Sequence, residues 1–479
     1  MSALSTIVKC DDFQQKCCMT KWHPDASALS RPVYLSLADQ VQRAITQGQL
    51  AVGDQLPTHR QLADELGISV QTVSRAYEEL IRRGLISGET GRGTFIRAIQ
   101  TEVDPPYIPQ RTDEVIDLSI LKPVCEPLHV EAMRGALVEL SASLPPAVVL
   151  SFRPNTLFAR HRATAVSWLR HCGVETGAAN VTLTNGATAG MTIALMAAAP
   201  PGSTVVTEEV GHHTLLPLAS YLGIKLRGVA IDEDGIRPDA LDAACRDGTA
   251  KALFVMPNPI NATATHMSEA RRAEIARIAR HHNLSIVEND PLGPLLSDRR
   301  PPLAALAPER TLYVTSFTKT VMPGLRTGYL VVPDRLLAAV TNRHLVTNWI
   351  ATPIVAEIAT RWVESGFAME MVEWQRKALH RRHALAAEIL KGIPHRGHAE
   401  GLHLWLPLGD GRPEATFVSH ARHQGVALAP GSAFAIGPGT RPDALRVSIG
   451  STTEAELHAG LRVIVNLLNS DPEPVLLAI

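Results

Sequence analysis

The run Ser316-Phe317-Thr318-Lys319, followed by Gly324-Leu325-Arg326, gathers residue types able to capture a phosphorylated aldehyde. A lysine just beyond a strand can be desolvated and form an imine with a carbonyl, while a nearby hydroxyl and a fork-shaped arginine can hold a phosphate. By spacing alone Lys319 reads equally well as an exposed surface lysine. The run Thr184-Asn185-Gly186-Ala187-Thr188 is a second candidate. At a strand-to-helix turn it would aim free backbone N–H groups and a positive helix end at an anion, although such turns are often plain tight connections. A third set is of another kind: Gln71, Thr72 and Arg75 fall in the first turns of a helix that Ser69 can cap. Such side chains can bond to base edges or phosphates of duplex DNA.

Those residues need two different scaffolds. Around Gln71 the spacing predicts three helices: one from Ser36 to Gly48, one opening at Thr58 and stopping at Gly67, and the Ser69 helix, with Val73, Ala76, Tyr77, Leu80 and Ile81 on one face. Leu85-Ile86-Ser87 and Thr94-Phe95-Ile96 read as two short strands around Gly91-Arg92-Gly93, a wing with Arg92 at its tip. Residues 31–98 thus form a winged helix-turn-helix. Residues 99–116 are polar and carry Pro105, Pro106 and Pro109, as expected of a semi-rigid spacer. From 117 to 479, runs at Val181–Thr184, Thr204–Thr207, Ile224–Val229, Ala252–Met256, Ser285–Glu288 and Thr311–Thr315 alternate with helical stretches, which predicts an α/β/α domain.

Bulk properties narrow the setting. With 46 basic against 47 acidic residues no global field favours nucleic acid, and residues 31–98 carry eight arginines against seven acids. DNA contact would therefore be local and would call for a dimer. The six cysteines lack metal-ligand spacing, so no metal is expected and the thiols suit a reducing cytoplasm. No apolar run is long enough for a membrane span. Residues 1–30 read as an N-terminal extension, within which Met19 is a candidate start.

Two resemblances attach to these runs. L-P-T-H-R-Q-L-A, G-I-S-V-Q-T-V-S-R-A-Y-E-E-L and G-R-G-T-F-I closely resemble the GntR-family DNA-binding domain. That resemblance implies Arg60, Gln71, Thr72, Arg75 and Gly93 as DNA contacts; Val70 departs from it, standing where the family often has arginine. From Asp117 to Leu467, T-N-G-A-T, N-A-T-A-T-H-M-S-E-A-R-R, S-F-T-K-T-V-M-P-G-L-R-T-G-Y-L and A-L-R-V-S-I-G resemble fold-type I pyridoxal-phosphate aminotransferases. Together the chain resembles a MocR-type regulator. The resemblance implies a pyridoxal 5'-phosphate aldimine at Lys319. Its phosphate would rest on Ser316, Arg326 and the backbone of Gly186, Ala187 and Thr188; Asn261 would bond the ring hydroxyl, and Arg446 would grip an amino-acid-like effector. It also implies a homodimer.

The same resemblance exposes departures. Asn289 stands where an acidic residue would pair with the ring nitrogen, with Asp290 one residue out of register, able to substitute only if the strand end is bulged. Leu292 replaces a tyrosine, and His212 stands at a ring-stacking position, though it reads slightly better as a plain histidine. Phe152 replaces a tyrosine expected to reach a neighbouring subunit. Anchors are kept while the electron sink is lost, so no residue is assigned a catalytic role. The expected function is a DNA-binding regulator that senses through its aminotransferase-like body; the rival is a working aminotransferase with a fused regulatory head, and a third possibility is a cofactor-free dimerisation body.

Overall fold

The computed structural model describes residues 22–470, apart from 52, 84, 90–92, 97–114, 151, 153–157, 410, 411 and 438. The wing tip at Arg92, spacer residues 99–114 and Met19 lie outside the described residues. The chain divides into two compact units, with the boundary between Asp104 and Pro105.

In the first unit, helices α1 (Val33–Thr46), α2 (His59–Leu66) and α3 (Val70–Arg82) pack with a three-stranded antiparallel sheet. Its strands are β1 (Gln55–Leu56), β2 (Ile86–Glu89) and β3 (Gly93–Ile96), with β3 in the middle. Thr58 and Ser69 cap α2 and α3 by accepting from the Gln61 and Thr72 amides, and Gly67 closes α2 in the left-handed region at φ 64°. Two expectations need correction. Helix α1 starts three residues before Ser36, because Pro32 can precede a first turn without donating; the Ser36 hydroxyl instead accepts from the Ser30 amide at 3.1 Å. Ile81 is 52% exposed, since the inward face of α3 is filled by Val73, Ala76, Tyr77 and Leu80. Strand β1 escaped sequence reading because two residues carry no periodicity. Part of the extension also belongs to this unit: Trp22 and Leu29 pack on its core, and Gln40 bonds both the amide and carbonyl of Asp25.

In the second unit, seven strands run in the order Val181–Thr184, Gly328–Val331, Thr311–Ser316, Ser285–Asn289, Ala250–Val255, Thr204–Glu208 and Lys225–Val229. All pair in parallel except Gly328–Val331, which is antiparallel to both neighbours and was absent from the sequence expectation. Helix Gly186–Ala198 packs on one face against Val287, Leu312 and Val314; helix Glu269–His281 packs on the other against Leu253 and Ile286. A second, four-stranded sheet contains Ala429–Pro430, Ala444–Ser448 and His403–Pro407. Ile116–Asp117 already pairs with Val426–Ala427, so this unit begins within the stretch read as spacer.

Candidate functional site

In an open α/β sheet a ligand sits beyond the carboxyl ends of the parallel strands. Thr184, Asn289 and Ser316 close three of those ends. Just past Ser316 the chain turns, and Phe317 anchors the turn: it is fully buried, with its ring 4.6 Å from that of Trp168 and 5.6 Å from that of Tyr329. Anchoring Phe317 inward leaves Lys319 half-buried, with its Nζ donating to the Leu121 carbonyl. Burial first, then the Arg446 and Arg326 charges, brings its ammonium down to about 8.

An anion cradle lies alongside. Helix Gly186–Ala198 begins without a side-chain cap, because Asn185 Oδ1 instead accepts from the amide and hydroxyl of Thr352 at 2.9 and 3.1 Å. Its first amides are left available to an anion. Gly186 sits at φ 81°, and a Cβ there would lie 3.1 Å from Arg326 Nη2, so glycine lets the guanidinium close on the helix end. Arg326 is itself left-handed at φ 44°. Ser316 Oγ and Thr318 Oγ1 are buried and have no hydrogen-bond partner among the described residues. Two orphaned hydroxyls, a guanidinium and a helix end fit a phosphate.

The far side is built by other segments. Arg446, buried at 3% exposure, donates to Asn261 Oδ1 at 2.8 Å and to the Ser119 carbonyl, and lies 4.7 Å above the Phe434 ring. His212 and His213 stack at 4.8 Å, and the His213 ring reaches the Asn261 amide at 3.5 Å. Burial and the nearby Lys319 and Arg446 charges lower His212 to about 4 and depress His213 further, so both imidazoles are neutral at neutral pH. His212 thus lies within electrostatic reach of Lys319 and Arg446. Sequence reading missed His213, Phe434 and Ser119, and gave no separate role to Thr318 although it lies in the Ser316–Lys319 run; of the three missed, only His213 had a local signal, its neighbour.

Asn289 and Asp290 part company here. Asn289 pairs in register with Val314, on the face of helix Gly186–Ala198, and its Oδ1 is buried without a partner. The register continues unshifted to Asn289, so the bulge that would bring Asp290 into the pocket is missing. Asp290 turns to the opposite face, where it accepts from the Tyr313 hydroxyl at 2.8 Å; the structure does not place it with the pocket residues. Leu292 is buried in the hydrophobic core, and Phe152 is 72% exposed, its ring tilted at 36° to that of Trp349 with centroids 5.1 Å apart.

On the first unit, Gln71, Arg75 and Arg60 are exposed and Thr72 is half-buried. Arg75 is braced 4.1 Å above the Tyr34 ring, and Thr72 Oγ1 lies 2.8 Å from Ser69 Oγ. Gly93 sits at φ 121°, a conformation that suits glycine at the start of β3.

Comparison with known proteins adds to this geometry. Residues 149–464 match the aminotransferase class I and II family, and residues 33–96 match the gntR family of bacterial regulatory proteins. An uncharacterised HTH-type transcriptional regulator, YdeF of Bacillus subtilis, is 28% identical over 466 residues, covering 94% of this chain and 97% of that one. The pyridoxine biosynthesis transcriptional regulator PdxR of Corynebacterium glutamicum is 25% identical, covering 75% and 79%. The vitamin B6 salvage pathway repressor PtsJ of Salmonella typhimurium is 24% identical, covering 90% and 97%. Among solved structures, Pyrococcus horikoshii kynurenine aminotransferase superposes with a TM-score of 0.67 at 21% identity, covering 74% of this chain and 91% of that one, a likeness of fold.

Proposed function

Because the chain belongs to the class I and II aminotransferase family and carries a gntR-family head, we propose that it is a transcriptional regulator whose body senses a small molecule. The head binds a double-stranded operator through Gln71, Thr72, Arg75, Arg60 and the wing at Arg92 and Gly93. The body holds pyridoxal phosphate and an amino-acid-like effector, with little or no transaminase turnover. The carrying observation is the pocket around Lys319: a lysine brought down to about 8, two buried orphaned hydroxyls and two arginines, with no carboxylate among the main charges that the described residues set against the lysine.

Bound pyridoxal phosphate supplies an aldehyde able to condense with amines. Lys319 Nζ is the amine that holds it; Ser316, Arg326 and the amides of Gly186, Ala187 and Thr188 grip the phosphate; His212 and Asn261 line the ring. Arg446, pre-set by Asn261 and Ser119, offers its guanidinium to a carboxylate. We place the protein in the cytoplasm as a homodimer, whose two heads read paired half-sites. Exposed Val138, Leu150 and Phe152 offer apolar surface for the second copy. Control by an effector requires that it bind two states of the dimer unequally. The test is a gel shift on DNA upstream of the protein's own gene, with and without pyridoxal phosphate and a panel of amino acids; no preference for that DNA over random sequence would sink the proposal. A working aminotransferase is the second reading, favoured by the lowered Lys319, and multiple turnovers across a donor panel would establish it.

A further inference from the structure

The two faces of the Ser285–Asn289 strand are electrically unlike. On one face Glu288 accepts from the Leu303 and Ala304 amides, and Asp290 from the Tyr313 hydroxyl; the coulombic pull of Arg272 bears on both acids. On the other face, Asn289 lies with Val314, and Ser316 follows two residues on along the neighbouring strand. Among the described residues, the ionisable groups that bear most on Lys319 are Arg446, Arg326 and the Cys125 thiol; those that bear most on His212 and His213 are Lys319, Arg446 and, for His213, the neutral His212. None is a carboxylate.

In a pyridoxal ring the nitrogen lies opposite the carbon that carries the aldehyde, and the phosphate arm sits to one side. A ring with its aldehyde at Lys319 and its phosphate against Ser316 and Gly186 directs its nitrogen away from the lysine, back toward the strand ends. On that face the polar group closing the Ser285–Asn289 strand is the Asn289 amide, whose buried oxygen has no partner. An amide can donate or accept, and its two ends are interchangeable by a rotation. The surrounding charge decides between them: with the cofactor's phosphate matched to Arg326, a protonated ring would add a further cation on the Arg446 side, while Asp290 and Glu288, the acids at this strand end, are committed on the opposite face.

We infer that the pocket takes the cofactor ring with its nitrogen unprotonated, the Asn289 amide donating to it. This rests on the reading that pyridoxal phosphate binds at Lys319. A ring that keeps its lone pair draws electrons weakly, so an amino compound can be recognised there without being turned over. Asn289 is then the residue that separates sensing from catalysis.

The experiment loads the full-length protein with pyridoxal phosphate carrying nitrogen-15 in the ring and records the ring nitrogen by NMR through the neutral pH range. The expected resonance is that of an unprotonated pyridine, constant with pH; Asn289→Gln keeps it there and Asn289→Asp moves it to the pyridinium position. A pyridinium resonance in the unaltered protein overturns the inference, and that measurement decides even where Asn289→Asp fails to fold. If no visible absorbance travels with the protein, the reading of a cofactor at Lys319 falls, and this inference with it. A bound cofactor with a protonated ring overturns the inference alone.

Discussion

The recognition helix and the lysine pocket position their polar groups in opposite ways. In the head, Gln71 and Arg75 are exposed on α3, aligned by the core residues Val73, Ala76, Tyr77 and Leu80 behind them and braced by one ring, Tyr34. In the body, Lys319, Arg446, Asn261 and Asn289 come from well-separated segments and are wholly or partly withdrawn from water, so that burial and mutual charge reset their chemistry. A surface reader can lose one contact and keep the rest. A buried pocket is coupled, and removing one member alters its neighbours.

The largest effect expected from that contrast is at Lys319. Lys319→Ala removes the sole amine proposed to hold the aldehyde, and the visible absorbance that otherwise travels with the protein through gel filtration is lost entirely. In the head, Arg75→Ala removes one contact among several: operator affinity falls by about 1–3 kcal/mol, and the salt dependence of binding becomes shallower. Titration of a labelled operator at two salt concentrations measures both. An Arg75→Ala loss as complete as that at Lys319 would mean that the head too behaves as a coupled unit.

The same contrast decides what the sequence discloses. The helices of the head were legible because caps such as Thr58 and Ser69, stops such as Gly67 and the period of α3 are all local signals. Five of the seven central strands were legible as β-branched runs with small errors at their ends, and a sixth, Lys225–Val229, was found one residue early. The antiparallel Gly328–Val331 was missed because it sits close after the Arg326 turn and reads as a continuation of that loop. At the site, Lys319, Ser316 and Arg326 share one short run and were found together. The Phe434 ring under Arg446 was not, because β-pairing and packing, which join distant segments, set that meeting. Asp290 shows the limit most sharply: composition offered a carboxylate beside Asn289, and only the unshifted register with Val314 shows that it faces the other way.

A third, smaller effect probes coupling inside the pocket. The Lys319 ammonium lies at about 8 against an ordinary 10.5, so between those values the unfolded chain holds a proton that the folded chain has released. The contribution of Lys319 to cofactor-free stability therefore rises with pH across that window and is flat below it. Aldehydes react with the neutral amine, so the rate of cofactor capture should climb with pH to a midpoint near 8. Burial is the main cause and Arg446 the next; Arg446→Met moves that midpoint upward without abolishing capture. Stopped-flow absorbance across pH reads it directly. An unmoved midpoint would mean that Arg446 is screened from the lysine and that the pocket is less coupled than its geometry implies.

The smallest effect tests whether the head is as modular as its exposed face suggests. Thr58 and Ser69 cap successive helices by the same bond, to the Gln61 and Thr72 amides at 3.3 and 3.1 Å, so replacing either by alanine costs about 1 kcal/mol of head stability. They differ in what else they touch. Ser69 Oγ also meets the Thr72 hydroxyl at 2.8 Å, whereas among the described residues Thr58 makes no such side-chain contact with a residue assigned to DNA. Equal losses in thermal unfolding should therefore accompany unequal losses in operator discrimination, with Ser69→Ala relaxing preference at the Thr72 position and Thr58→Ala sparing it. If both variants lose discrimination alike, the reading surface depends on the stability of the whole head, and the division between a modular reader and a coupled pocket fails at its first member.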